Sequence, residues 1–195
     1  MGAYDIGGDK FPKVKIDFSG PIKLSSLYET LWDKIRSLDY TVYESSYRKV
    51  VRGPVTDLFI SWNCMRKINS YVLFAITVDF EFYNTKEAEI VENGKNVKRT
   101  KGFYRIKFQP ELILDWAGDW VKSKDDKGRM HHNFRSFLRE RYDSVIYGRK
   151  PNNPLTHSFG QYKRFVVKLD EHNKLIVNYL RSFYGMVPIS GIEEI

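Results

Sequence analysis

YVLFAITVDFEFYNTKEAEIVENGKNVKRTKGFYRIKF, residues 71–108, is the stretch that decides the fold. Its apolar residues recur at every second position, the period of a strand with one buried face. Asn93-Gly94 interrupts it with two residues that tolerate positive φ, the strongest two-residue hairpin signal. The stretch therefore predicts antiparallel strands folded back at that turn. Working outward, TVYESSYRKV (41–50), TDLFISWNCM (56–65) and ELILDW (111–116) keep the period of two, and Ile68-Asn69-Ser70 is a weaker turn. Between the long strand and the turn EAEIVE (87–92) reads as a strand of its own, as do NVKR (96–99) and GFYRIKFQ (102–109) after it.

Helices flank this meander. KVKIDFS (13–19) alternates like a strand, and then Leu24, Leu27, Tyr28, Leu31, Trp32, Ile35 and Leu38 recur at helical steps, with Ser26 and Glu29 in a capping-box pattern. A second helix is expected from Met130, with Phe134, Phe137, Leu138 and Val145 on one face. A third is expected over 161–184, closed by Gly185; a hairpin turning at DEHN (170–173) is the alternative. The order defines an α+β fold: an antiparallel multi-stranded sheet with an N-terminal helix and two C-terminal helices packed on one face. One domain is expected over 1–195, with 1–12 as a flexible arm and 186–195 as a loose tail. In element order the chain resembles the helix-grip fold, in which a curved sheet wraps a long C-terminal helix around a pocket.

The register of the hairpin makes a sharper prediction. Paired straight across Asn93-Gly94, Glu92 opposes Lys95, Glu89 opposes Lys98, and Arg99 and Lys101 meet Ala88 and Lys86. Continued without a break, the ladder would put Phe80 and Phe82 on the face of Lys107 and Arg105. That conflict calls for a bulge near Asn84 or Gly102.

The 195 residues carry a net charge of +8, with 29% charged and 42% hydrophobic residues. This composition excludes a disordered chain and a multi-span membrane protein. The positive balance favours polyanionic partners such as nucleic acid, ribosomal RNA or an anionic membrane face, with charge kept for solubility as the alternative. Six basic residues and no acidic one fall between 95 and 107. Arg99, Lys101, Phe103, Arg105 and Lys107 share one side of the strand, so Lys and Arg could hold phosphates while Phe103 stacks a base. The octamer KGFYRIKF (101–108) resembles the signature of the RNA-recognition motif. Tyr104 and Arg105 depart from it, and KVKIDF has Lys15 where the partner motif needs an aromatic, so that family is rejected. Strand pairing alone is the competing account of the charge. The stretch from Trp62 to Phe108 is also similar to a pattern in uncharacterised archaeal proteins, which share a Trp, an Arg-Lys pair, a Gly-Lys turn and a Lys-Gly strand start. That resemblance implies no activity.

His132, Arg135 and Arg139 form a second basic edge on the expected helix. Arg141 falls inside its apolar stripe, where it serves either a structural salt bridge or as the anion-holding group of an interior pocket. That pocket, for an apolar or anionic small molecule and with a reaction not excluded, is the alternative function. Adjacent His131 and His132 point about 100° apart and cannot chelate one metal. Asp115 and Asp119 of DWAGDW read as caps beside packing tryptophans rather than as an acid–base pair. No phosphate-loop, dinucleotide or nucleophile-elbow motif occurs, so no cofactor, metal or catalytic residue is expected. The single cysteine, Cys64, lies in an apolar run and excludes an internal disulfide. A cytoplasmic, membrane-free binding protein is the expectation.

Overall fold

The computed structural model describes residues 9–69, 72–92, 94–114, 116 and 160–188. The helix expected from Met130, with His132, Arg135, Arg139 and Arg141, lies outside them, as do Asp115 and Asp119. The elements are β1 (Asp9–Lys10), β2 (Val14–Ile22), α1 (Leu24–Arg36), β3 (Thr41–Arg52), β4 (Val55–Lys67), β5 (Val72–Glu92), β6 (Lys95–Leu114) and α2 (Gly160–Phe183). The strands form one antiparallel sheet in the order β1-β6-β5-β4-β3, and β2 also pairs with β6. This is an α+β arrangement. Among the described residues no helix is long and apolar enough to cross a membrane.

The period of two sends one set of side chains to the inner face. Val14, Ile16 and Phe18 of β2 meet Phe108, Ile106 and Tyr104 of β6, which in turn meet Val78, Phe80 and Phe82 of β5. Ile60, Trp62 and Cys64 extend this face across β4. Leu27, Leu31 and Ile35 of α1 and Leu169, Ile176, Val177 and Leu180 of α2 are buried in the same cluster. Trp62 is the peg for α1: its ring meets Tyr28 edge-on at 4.5 Å and Trp32 at 5.4 Å. Its indole N–H donates to the Tyr28 hydroxyl at 3.1 Å, and that hydroxyl donates to Glu44 at 2.5 Å. Burial first, with Glu44 adding to it, pushes the Tyr28 phenol up to about 12.

The expected bulge is present. Register shifts between Tyr83 and Lys86 of β5 against β6, and between Thr56 and Leu58 of β4 against β5. Asn84 takes the left-handed φ of 52°, a value that asparagine tolerates better than most residues. Its N–H donates at 2.8 Å to buried Asp57, and the Thr85 hydroxyl donates to the Thr56 carbonyl at 2.5 Å. Gly102 is demanded by proximity: a Cβ there would stand 3.0 Å from the Tyr83 carbonyl oxygen and 2.9 Å from Thr85 Cγ2. Around this bulge the short strands expected from sequence fuse into β5 of 21 residues and β6 of 20.

Two local expectations are corrected. Ser26 and Glu29 form no capping box: α1 begins three residues earlier, with Lys23 at the N-cap and no side-chain cap. The reason is that β2 stays paired with β6 as far as Ile22 opposite Thr100, so the chain enters the helix directly from the strand. Ser26 then lies inside the first turns, where its carbonyl accepts the Thr30 hydroxyl. The alternative hairpin at DEHN does not form, because 170–173 lies within the continuous helix α2. That helix ends as expected at Gly185, φ 66°, where Met186 N–H donates to Arg181 O at 2.8 Å and Gly185 N–H to Ser182 O at 3.0 Å, a Schellman closure. Within the segments read as an arm and a tail, Asp9–Lys10 pairs with Leu112 and Glu111, and Phe11 and Met186 pack against the core.

Candidate nucleic-acid interface

The outer face of the sheet carries the residues singled out by charge. Each lies on an odd-numbered position of β6, opposite the inward Tyr104, Ile106 and Phe108. The register then adds partners that are remote in sequence: Asp17 opposes Arg105 from β2, while Asp79 and Glu81 oppose Lys107 and Arg105 from β5. Arg105 grips Asp17 with two N–H groups, at 2.9 and 3.2 Å. Lys107 donates to Glu81, and Lys15 reaches Asp17 at 3.1 Å. Ser61 donates to Asp79 at 2.5 Å. The hydrogen bond from Arg105 is the main cause that lowers the Asp17 pKa. Burial alone would raise Glu81, but hydrogen bonds from Lys107 and Tyr83 outweigh it and leave Glu81 below its usual value. Three cations meet three carboxylates, so this half of the predicted stripe is a neutral grid that rigidifies the sheet.

The other half differs. Beyond the bulge, Lys86 stands directly opposite Lys101, with Arg99 opposite Ala88. Lys86 and Lys101 are both exposed, and among the described residues neither is paired with a carboxylate. Like charges placed directly across a ladder destabilise it. Beside them, an aromatic row crosses three strands: Phe59 of β4 lies 5.6 Å from Tyr83 of β5, which lies 6.1 Å from Phe103 of β6. Guanidinium groups cover both ends, Arg48 over Phe59 at 4.5 Å and Arg105 over Phe103 at 5.4 Å. Half-buried rings and arginine planes next to uncompensated lysines can stack bases and neutralise phosphates.

Of the residues expected in the site, the structure thus brings Arg99, Lys101 and Phe103 together at the bulge and draws Arg105 and Lys107 into ion pairs. Lys86, Tyr83, Phe59 and Arg48 were missed. The cross-strand partner Lys86 was visible in the register across Asn93-Gly94, whereas Phe59 and Arg48 come from strands whose alignment no local signal fixes.

A second polar cluster sits inside. His172 of α2, buried, has Nδ1 3.1 Å from the Tyr40 hydroxyl and Nε2 3.4 Å from Arg66. Arg66 also donates to the Leu38 carbonyl at 2.9 Å and pairs with Asp39 at 3.2 Å. Burial first, then Arg66, holds the imidazole pKa below 6.5. The unfolded chain therefore binds a proton that the native chain refuses, and stability rises with pH through this window. Native stability is expected to fall as pH drops below 6.5, by at most about 1.4 kcal/mol per unit from this group. Urea midpoints measured at steps between about pH 5 and pH 7 should show this slope, and His172→Gln should flatten it. Cys64 lies in the core, and burial pushes its thiol up to about 12, so it stays protonated and inert. Among the described residues no group of three or more His, Cys, Asp or Glu side chains could hold a metal ion.

The chain matches no protein-family model and no curated protein. The chemistry of the surface therefore carries the functional argument.

Proposed function

We propose that the protein binds single-stranded RNA, alone or within a ribonucleoprotein assembly such as the ribosome, on the outer face of its sheet. The observation that carries this reading is Lys86 directly opposite Lys101 at the end of the Phe59–Tyr83–Phe103 row. A juxtaposition that weakens the hairpin is relieved by a polyanion, and the adjoining rings suit unpaired bases rather than a duplex. Arg99, Lys101 and Phe103 keep the roles expected of them, and Lys86 and Tyr83 join them. His132, Arg135 and Arg139 are proposed as a further phosphate-binding edge. The protein acts by binding, without catalysing a reaction or holding a metal, in the cytoplasm, where RNA is available and a lone thiol stays reduced. Phe103→Ala tests the stacking: it is expected to weaken binding of a labelled single-stranded RNA by about 1–3 kcal/mol. Unchanged affinity in a folded Phe103→Ala variant would remove the row from the site.

A second reading draws support from the interior. Among the described residues, Asn173 Oδ1 and the Tyr184 hydroxyl are buried without a hydrogen-bond partner, and buried polar groups are rarely left so. A small molecule held between α2 and the inner face, with Arg141 as an anion-holding group, would satisfy them in a helix-grip-like architecture. Native mass spectrometry of the purified protein distinguishes this reading by an adduct that survives desalting.

A further inference from the structure

We infer that the edge of β3 over residues 46–52 accepts an acidic, extended peptide as an additional strand. β3 ends the sheet, with β4 on one side and no strand on the other among the described residues. Such an edge presents a row of backbone N–H and C=O groups able to template another chain. A bulge between Glu44 and Ser46 divides the strand, and from Ser46 to Arg52 the register with β4 is unbroken. The first part is occupied: Val42 is buried and Glu44 accepts the Tyr28 hydroxyl of α1. The second part is open: Tyr47 is 59% and Val51 65% exposed, although Tyr47 stands opposite the core residue Ile60 and Val51 alternates with it. The segment carries Arg48, Lys49 and Arg52 and no acidic residue; Arg52 reaches Asp57 of β4 at 3.4 Å and Arg48 lies over Phe59, which leaves Lys49 as the main charge for a carboxylate.

These features select among occupants. A second copy of the chain would set its own Arg48, Lys49 and Arg52 against these three, and like charges across a ladder are unfavourable. RNA would satisfy the cations, but a phosphate chain lacks the alternating donors and acceptors that a strand edge matches. A peptide alternating aliphatic and carboxylate side chains supplies all three needs: backbone pairing, apolar cover for Tyr47 and Val51, and negative charge. The two surfaces share Arg48, which covers Phe59, but Lys86 and Lys101 lie beyond the bulge of β5 and take no part in peptide binding.

The test uses a fluorescent peptide of alternating valine and glutamate, about seven residues long to match an ordinary strand. Its anisotropy is followed with the full-length protein, and amide hydrogen exchange is followed over 46–52. Saturable binding is expected, with slowed exchange at those amides and about tenfold weaker affinity in Lys49→Glu from like-charge repulsion. Lys86→Glu, which leaves the β3 edge intact, should bind the peptide as the wild type does, so failure of the RNA reading and failure of this one are distinguishable. No binding at low salt to the folded wild-type protein would overturn the inference. So would binding without slowed exchange over 46–52, protection of those amides by RNA and not by the peptide, or their protection in a self-associated dimer.

Discussion

Lys86→Glu is expected to strengthen the fold and weaken RNA binding at the same time. In the native hairpin Lys86 faces Lys101 across β5 and β6, and both are exposed. Reversing one charge converts a repulsive pair into an attractive one, worth about 0.2–1 kcal/mol in a cross-strand position. The same change removes a phosphate contact and introduces repulsion toward the backbone of a bound strand. Each lost contact should lower the slope of log affinity against log salt by about 0.7 for single-stranded nucleic acid. Urea denaturation and an RNA titration on one preparation read both quantities. A charge present only for solubility would move stability alone, and a residue needed only for folding would move both in the same direction. Opposite signs are therefore the signature of a binding residue placed at some cost to the sheet.

Trp62→Ala should produce the largest loss of stability, about 3–5 kcal/mol, as expected for a fully buried indole. Trp62 is 0% exposed and makes edge contacts with Tyr28, Trp32 and Phe80, so its removal opens a cavity between α1 and β4. It also removes the N–H that the Tyr28 hydroxyl accepts, and so loosens the chain of hydrogen bonds that ends at Glu44. The urea midpoint should fall while RNA affinity, measured where the variant is still folded, stays near the wild-type value. The outer face lies on the opposite side of the sheet from the cavity. A cost below about 1 kcal/mol, the size of a typical surface substitution or less, would mean that α1 is not anchored at this tryptophan.

Features governed by near neighbours were legible in the sequence. The turn between Glu92 and Lys95, with Gly94 at φ 76°, the face of α1 and the closure at Gly185 rest on residues a few positions apart, and the break near Asn84 follows from the register carried outward from that turn. The break also held information that the charge count alone concealed. The bulge that turns Phe80 and Phe82 inward necessarily turns Asp79 and Glu81 outward, against Lys107 and Arg105. Counting basic residues between 95 and 107 without their cross-strand partners therefore overstates the free charge, since Glu92 and Glu89 also stand opposite Lys95 and Lys98. The pairing of β2 with β6 was less accessible, because Asp17 reaches Arg105 across 88 positions and no periodicity fixes that register. The missing cap at Ser26 has a related cause: helical spacing located the helix, but the strand pairing of Pro21 and Ile22 set where it starts.

The central claim is a polyanion-binding surface at the bulge of the long hairpin, and salt dependence tests it most directly. Purified protein titrated into a labelled single-stranded RNA at several salt concentrations should bind and lose affinity steeply as salt rises. Phosphates held by Lys86, Arg99 and Lys101 should contribute about −2 to the slope, and Lys101→Glu should reduce its magnitude by about 0.7. Absence of binding at low salt, or a slope that Lys86→Glu and Lys101→Glu leave unchanged, would contradict the account.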